Sequence, residues 1–211
     1  MSTYHLVFQN QSGRTDSVCV YQRMAGAAVG VFPLAWFAQR AAPTSAVYFD
    51  WTLDYAFVWA QTGMLVPGAR FNEAQITPAD LSTSNAITLA SMDGAYRFGD
   101  QRPGPQPGNL YITQEEIAPA NQISVGIGMS GRATFALQAR SHTNAVFTSR
   151  QEYWIAFGDF QRGEVLDVET IQDKALVRFP PGVYSMTAIF ERDGTWTIRE
   201  TDPEERDLAP L

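Results

Sequence analysis

The sequence predicts an all-β protein, an antiparallel β-sandwich of the jelly-roll or Greek-key type with very little helix. Apolar and polar side chains alternate with a period of two along most of the chain. Turn residues separate the alternating segments every 8–12 positions or so, which is typical of sandwiches and barrels. The length of 211 residues suits one large β domain. We expect this single domain to span residues 1–200.

Composition and charge narrow the class of function. Hydrophobic residues make up 45% of the chain and charged residues 18%, so material for a core is ample. The formal net charge is −7, and no segment concentrates arginine. We therefore expect no nucleic-acid partner, because neutralisation of phosphates supplies most of the affinity of such proteins. Residues 201–211 are rich in acidic side chains and are expected to form a flexible tail.

The beginning of the chain shows neither the basic nor the apolar part of a secretory signal. The longest uncharged run, residues 24–38, is interrupted by Gly26, Gly30 and Pro33 and is too short for a bilayer. We expect no membrane span and a cytoplasmic location, with non-classical export as an alternative. The single cysteine, Cys19, lies in an apolar run and is expected to be a buried, inert thiol.

The first strands are expected to form a hairpin. Residues 4–10 and 17–22 both read as strands, and the turn cluster 11–16 separates them. A Gly- and Ala-rich connection leads to Pro33, and a short apolar segment follows at residues 34–38.

The clearest element is residues 47–60, where large apolar side chains occupy the odd positions. This run exceeds a typical strand, so it predicts one bent strand or a strand that passes from one sheet to another. Its aromatic stripe consists of Phe49, Trp51, Tyr55, Phe57 and Trp59. Leaving these rings in water would forgo about 1.5–3 kcal/mol each, so most of them are expected in the core. One or two exposed rings could still stack on a sugar.

Two Asp-Gly pairs predict tight hairpins. Asp93-Gly94 separates strand-like residues 85–90 from 95–98, and Asp193-Gly194 separates 183–190 from 195–199. Residues 99–109, with three Pro and three Gly, are expected to form a loop, named here the Pro/Gly loop. Further strands are expected at residues 64–66, 110–113, 123–130, 133–138, 146–149, 153–157, 165–168 and 175–179. Single helical turns are expected at most at residues 78–81 and 168–175.

Residues 126–131 match the glycine pattern of a dinucleotide cradle. That site needs a strand, a tight turn and a helix, whereas residues 132–138 alternate as a strand does. Gly126 and Gly128 are therefore expected on one face of a strand, at a bulge or where a neighbouring strand approaches closely.

Catalytic signals are weak. The two histidines, His5 and His142, are isolated, which favours neither a catalytic triad nor a zinc site. A carbohydrate-active hydrolase would need two carboxyl groups facing each other across a cleft, roughly 5–10 Å apart. The candidate pairs are Asp50 with Asp54 and Asp167 with Glu169. Two carboxylates on one strand are more typical of a solvated outer face, so no catalytic residue, metal ligand or cofactor is assigned.

Eight segments, spread from residue 7 to residue 181, carry a family resemblance: residues 7–10, 18–22, 34–37, 51–59, 104–108, 124–131, 153–155 and 179–181. Together they resemble the RhiA family, rhizosphere-expressed proteins of nodulating rhizobia. The resemblance implies expression under quorum-sensing control in the plant rhizosphere and a part in plant–microbe interaction with legume hosts. It supplies no assigned catalytic residues.

The leading hypothesis is a non-enzymatic binding or interaction module that takes a glycan, a small molecule or a protein. Function on β-sandwiches usually resides in loops, so the Pro/Gly loop is the first candidate site. Arg102 and Tyr111, in or beside that loop, are the candidate ligand-binding residues. The alternatives are the hydrolase and a self-associating structural or storage protein. The sequence leaves the oligomeric state open.

Overall fold

The computed structural model describes residues 2–149 and 151–202. These residues form strands and no helix, which confirms the all-β prediction. Most of the predicted acidic tail, from residue 203 onward, lies outside the described residues. The strands are β1 (Tyr4–Asn10), β2 (Asp16–Met24), β3 (Val31–Pro33), β4 (Phe37–Ala41), β5 (Ala46–Trp51), β6 (Tyr55–Ala60), β7 (Gln75–Pro78), β8 (Ala86–Met92), β9 (Ala95–Arg102), β10 (Asn109–Gln114), β11 (Ser124–Met129), β12 (Arg132–Gln138), β13 (Thr143–Thr148), β14 (Gln151–Gly158), β15 (Lys174–Val177), β16 (Ser185–Phe190) and β17 (Trp196–Glu200).

One pair of sheets, named here the first sandwich, is built from both ends of the chain. Its sheets have the strand orders β17-β16-β1-β5 and β15-β14-β2-β4. Alternate side chains of both sheets meet in one core, where the rings of Phe8 and Phe157 lie 5.5 Å apart. The pairing of β1 with β16 is parallel, and the other pairings in these two sheets are antiparallel.

The second sandwich comes from the middle of the chain, together with the short strand β3. Its sheets have the orders β3-β12-β11-β6-β7 and β13-β10-β8-β9. Their inner faces share a second core, in which the rings of Phe57 and Phe98 lie 6.2 Å apart. The outer face of the five-stranded sheet is covered by loop side chains, among them Leu65, Phe71 and Val165.

The predicted hairpin of the first two strands is wrong. β1 pairs with β16 and β5, whereas β2 pairs with β14 and β4, so the two strands lie in opposite sheets. Both carry buried residues on both faces, and their period-two pattern therefore identifies strands without identifying partners. The largely exposed turn at residues 11–15 connects one sheet to the other.

Other predictions from the local sequence pattern are confirmed in part. Residues 47–60 pass from β5 in the first sandwich to β6 in the second, as the sequence predicted, but as two strands separated by residues 52–54 and not as one strand. Both Asp-Gly hairpins are confirmed, as β8–β9 and β16–β17. Residues 64–66 form no strand, and residues 78–81 and 168–175 contain no helical turn. The first four residues of the Pro/Gly loop belong to β9, which leaves residues 103–108 as the loop itself.

Gly126 and Gly128 lie in β11 with the backbone of β12 pressed against them, as the sequence predicted. A Cβ on Gly126 would overlap the carbonyl oxygen of Phe135, and one on Gly128 would lie 2.5 Å from the carbonyl oxygen of Arg132. The pairing register of β11 and β12 shifts between Ile127 and Gly128, which marks a bulge. These glycines are structural, because only hydrogen fits between the two strands.

Replacing Gly126 with Ala is expected to lower the free energy of unfolding by about 3 kcal/mol or more, because the clash is with backbone that cannot rotate away. Gly99→Ala is the matched control. It lies in β9, where an added Cβ meets open space, so its expected effect is within about 0.5 kcal/mol. Urea unfolding of both variants measures the difference. Equal stability of the two variants would contradict the close approach.

The two sandwiches are joined where the β11–β12 hairpin enters the first core. Its tip, Ser130-Gly131, has left-handed backbone angles, with φ of 52° and 73°. Met129, just before the tip, is 1% exposed and belongs to the core of the first sandwich. Trp36 Nε1 donates to the Met129 carbonyl oxygen at 3.0 Å, and Gln22 Nε2 donates to the Met129 sulfur at 3.5 Å. One methionine is thus held by both sandwiches.

Met129→Ala is expected to reduce the free energy of unfolding by about 2–5 kcal/mol, because it empties a packed site between the sandwiches. Met92→Ala, at a side chain that is 57% exposed, is the matched control and should change stability by less than about 0.5 kcal/mol. Thermal or urea unfolding checks both values. A Met129 variant as stable as the Met92 variant would show that this contact does not hold the sandwiches together.

Candidate binding cleft

A cleft of about 330 Å³ opens at one end of the first sandwich. Its volume lies at the lower end of the range for small-ligand sites, about 300–1,000 Å³. It lies beside the first residue of β1, the early part of β14 and the end of β15. The lining residues are Tyr4, Glu152, Tyr153, Leu176, Val177, Arg178 and Phe179.

Aromatic rings form the wall and the floor of this cleft. The Tyr4 ring stacks on Trp51, with centroids 5.9 Å apart and planes inclined by 9°. The ring of Phe179 packs edge to face against Tyr4, with centroids 5.0 Å apart. The ring of Tyr184 also packs edge to face against Tyr4, with centroids 5.4 Å apart. Trp51 is 1% exposed, while Tyr184, which contacts Tyr4 from outside the lining, is 43% exposed. The cleft therefore presents partly exposed rings on a buried aromatic base.

Strand register places these rings together. Tyr4 and Trp51 are directly opposed in the antiparallel β1–β5 pair, the arrangement in which cross-strand side chains interact most closely. Tyr153 is opposed to Val177 in the β14–β15 pair. Phe179 follows two residues later and is held by the Pro180-Pro181 pair after it, since a residue before proline is confined to extended conformations.

Burial governs the electrostatics of the tyrosines. It raises the pKa of Tyr153 to about 12. Burial likewise raises the pKa of Tyr55, which packs against the same core. The Tyr153 hydroxyl is therefore neutral at physiological pH and lies 3.9 Å from the Met129 sulfur. Tyr153 therefore adds no charge to the wall of the cleft.

Two opposite charges stand at the margin of the cleft, Glu152 and Arg178, and both are exposed. Glu152 accepts a hydrogen bond from Trp154 Nε1 at 3.3 Å. Within residues 2–149 and 151–202, Arg178 makes no hydrogen bond and no ion pair. Glu152 is the one carboxylate in the lining, whereas hydrolysis of a glycoside uses a pair.

The two residues that the sequence favoured, Arg102 and Tyr111, lie elsewhere. Both are on the outer face of the sheet β13-β10-β8-β9. Ala86 in β8 lies between them, paired with Tyr111 in β10 and with Arg102 in β9. Arg102 Nη1 donates to the Asp100 carbonyl oxygen at 2.9 Å and also contacts the Asp100 carboxylate. The structure thus brings Arg102 and Tyr111 to one face but leaves them outside the aromatic cleft. Their role in binding stays a prediction.

The Pro/Gly loop is fastened to the sheet by Asn85, which is 1% exposed. Asn85 Nδ2 donates to the carbonyl oxygens of Gln106 and Asn109, both at 2.8 Å. Its Oδ1 accepts from the Gly104 amide at 2.6 Å. A Cβ on Gly104 would lie 2.6 Å from the Tyr111 ring, so that ring packs directly beneath the loop. These contacts give the loop a fixed shape.

The carboxylate pairs proposed for a hydrolase are separated or engaged. Asp50 lies in β5 and contacts His5 Nδ1 at 2.6 Å, whereas Asp54 lies beyond the end of that strand, so the two do not share a strand face. Asp167 and Glu169 lie in a turn region, and Glu169 pairs with Arg23 at 3.1 Å. Neither pair lines the aromatic cleft. The hydrolase hypothesis gains no support from these positions.

The thiol of Cys19 is fully buried, and burial raises its pKa well above the usual value, as expected for an inert cysteine. In the described part of the chain, no three His, Cys, Asp or Glu side chains gather into a group that could hold a metal ion.

The sequence predicts no membrane span, and the structure bears on this prediction through its helices. Among residues 2–149 and 151–202 there is no helix of the length and apolarity that crossing a bilayer requires.

The aromatic cleft was not predicted, because its residues come from distant parts of the chain. The sequence carries one usable signal, two aromatic residues, Phe179 and Tyr184, that enclose a Pro-Pro-Gly turn between two strands. The tyrosines of β1 and β14 carry no such mark, since each looks like an ordinary strand residue.

Fold and site together define a β-sandwich protein with an aromatic-lined cleft at the end of one sandwich. A model of the RhiA family matches residues 1–201. The chain is 36% identical over 198 residues to protein RhiA of Rhizobium leguminosarum bv. viciae, an alignment that covers 92% of this chain and 85% of the relative. The chain therefore belongs to the RhiA family, which confirms the resemblance of its segments. No solved structure matches it.

The raised pKa of Tyr153 makes the free energy of unfolding depend on pH in the alkaline range. An unfolded tyrosine ionises near pH 10, whereas Tyr153 in the folded chain keeps its proton to about pH 12. The unfolded state therefore binds fewer protons in this window, and stability present below about pH 10 is lost as the pH rises towards 12. Tyr153→Phe should lose stability less steeply than the unchanged protein. Urea unfolding at a series of pH values measures both slopes, and identical slopes would show that Tyr153 is not the cause.

Proposed function

We propose that this RhiA-family protein is a non-catalytic binding module that takes a saccharide in the aromatic cleft. The observation that carries the proposal is the combination of partly exposed rings with two exposed, oppositely charged groups at their margin. The wall is formed by Tyr4, Tyr153 and Phe179, and the margin by Glu152 and Arg178. A small binding site typically has this composition, an apolar lining with a few polar groups that fix orientation.

A sugar ring matches both parts of this lining. Its C–H face is apolar and packs on an aromatic ring, while its hydroxyl edge requires hydrogen-bond donors and acceptors. Arg178 supplies donors and Glu152 supplies an acceptor. A purely apolar ligand would form no hydrogen bond with either of these two exposed groups. A saccharide is therefore the better match in chemical terms.

The cleft is also organised before a ligand arrives. Tyr4 is stacked on the buried Trp51, and Phe179 meets both rings at centroid distances of 5.0 and 5.6 Å. Ordering such side chains on binding would otherwise cost about 0.5–1.5 kcal/mol for each flexible group. Rings that are already fixed contribute their contact area without that cost.

The biological setting we propose is the one that the family resemblance implies. Expression under quorum-sensing control in the rhizosphere and interaction with a legume host would place the protein close to plant-derived saccharides. Binding at the Pro/Gly loop, through Arg102 and Tyr111, is the competing site for the same function. It differs from the aromatic cleft in position, so substitutions separate the two.

Titration of the purified protein with a panel of mono- and oligosaccharides, followed by calorimetry and tryptophan fluorescence, tests the proposal. At least one saccharide should bind, and Arg178→Ala should weaken it tenfold or more, which corresponds to about 1.4 kcal/mol. Arg102→Ala removes another exposed arginine and is the matched control, with no expected effect on affinity.

The reverse pattern, in which Arg102→Ala or Tyr111→Phe abolishes binding and Arg178→Ala does not, would move the site to the Pro/Gly loop. Absence of binding across the whole panel would refute saccharide recognition. Phe179→Ala gives a second readout, since loss of a stacking ring should weaken binding without changing the charge of the cleft.

A further inference from the structure

A second, smaller cleft lies beside the tip of the β11–β12 hairpin, remote in sequence from the saccharide site. Its free space is about 10 Å³, room for one atom the size of a water oxygen. Two guanidinium groups and one carboxylate line it. The lining residues are Ala35, Trp36, Phe71, Asn72, Glu73, Arg132, Ala133, Arg162 and Gly163.

The two arginines share this cleft without a carboxylate partner of their own. Within residues 2–149 and 151–202, neither Arg132 nor Arg162 forms an ion pair or a side-chain hydrogen bond. Glu73, the carboxylate of the lining, accepts the Ala133 amide at 2.9 Å through Oε1. Burial, and next the nearby charge of Arg162, lower the pKa of Arg132, while the opposite charge of Glu73 acts to raise it. Two like charges at one opening repel each other, and an anion between them would remove that cost.

Both arginines are positioned by the fold. Arg132 begins β12 at the hairpin turn, and its guanidinium carbon lies 4.5 Å above the centre of the Phe37 ring. The residue after Arg162, Gly163, donates to the Ala35 carbonyl oxygen at 2.8 Å and accepts from the Phe71 amide at 2.8 Å. The cation–π contact and this backbone pairing hold the guanidinium of one arginine and the backbone of the other at the cleft.

We propose that this cleft binds a carboxylate group of a ligand between Arg132 and Arg162. The charge of the lining selects the anion, because two guanidiniums and the Glu73 carboxylate leave a net charge of +1. A carboxylate monoanion balances that charge, whereas a phosphate dianion would exceed it. Arginine also matches the planar carboxylate with paired N–H donors. The free space admits one oxygen of the group, and the rest of the ligand stays outside.

Sodium acetate is the probe, with inorganic phosphate and sodium chloride at matched ionic strength for comparison. Backbone amide signals in ¹H–¹⁵N spectra, with Ala133 and Gly163 as the reporters beside the cleft, are expected to shift saturably with acetate. Arg162→Gln should weaken acetate at least tenfold. Arg97→Gln, another exposed arginine that lies in β9 on the second sandwich, should leave it unchanged. Arg162 is itself exposed, so this variant is expected to fold, and its melting temperature verifies that.

Glu73→Gln supplies a second, opposite test. Its side-chain oxygen can still accept the Ala133 amide, but the charge of the lining rises by one. Phosphate should then gain on acetate relative to the unchanged protein. Tighter binding of phosphate than acetate by the unchanged protein would overturn the assignment to a carboxylate. The site itself would be overturned by amide chemical-shift changes with acetate that are no larger than those with chloride. Undiminished binding of acetate by Arg162→Gln would also overturn it. None of these results depends on whether saccharides bind the aromatic cleft.

Discussion

The joining of two separate cores by one hairpin tip is the constraint on which the rest of the molecule depends. Each sandwich has its own hydrophobic core, and Met129 belongs to the hairpin of one while packing in the core of the other. Its carbonyl oxygen and its sulfur are both hydrogen-bonded by buried side chains of the first sandwich, Trp36 and Gln22. The tight approach of β12 to the glycines of β11 gives that hairpin the shape to reach across.

Both candidate sites follow from this junction. Trp36 contacts Trp51 edge to face at 5.3 Å, and Trp51 is the base on which Tyr4 stacks, so the aromatic cleft rests on the residue that binds the hairpin. Arg132, three residues after Met129, is carried by the same hairpin to the ring of Phe37. One structural joint therefore positions an aromatic surface on one side and the positive charge of Arg132 on the other.

A structural feature could be predicted from the sequence when residues close to it in the chain determine it. Most strands, the two Asp-Gly hairpins and the close approach at Gly126 depend on neighbouring residues and were predicted, whereas the short strands β3 and β7 were not. The partners of β1 were not, because a strand buried on both faces matches several neighbours equally well. The aromatic cleft was missed for the same reason, since β1 and β14 each contribute a tyrosine whose setting is fixed by pairing with distant strands. Arg102 and Tyr111 were chosen for a loop whose attachment to Asn85 only the structure shows.

The parallel contact of β1 with β16 has a consequence for the growing chain on the ribosome. The first strand emerges early and so does its antiparallel neighbour β5, but its parallel neighbour β16 is synthesised only after the strands of the second sandwich. The second sandwich, drawn mainly from one continuous stretch, can close before β16 is available to β1. Pairing of strands so far apart in sequence is intrinsically slow, so completion of the first sandwich is the late step in the folding of this protein.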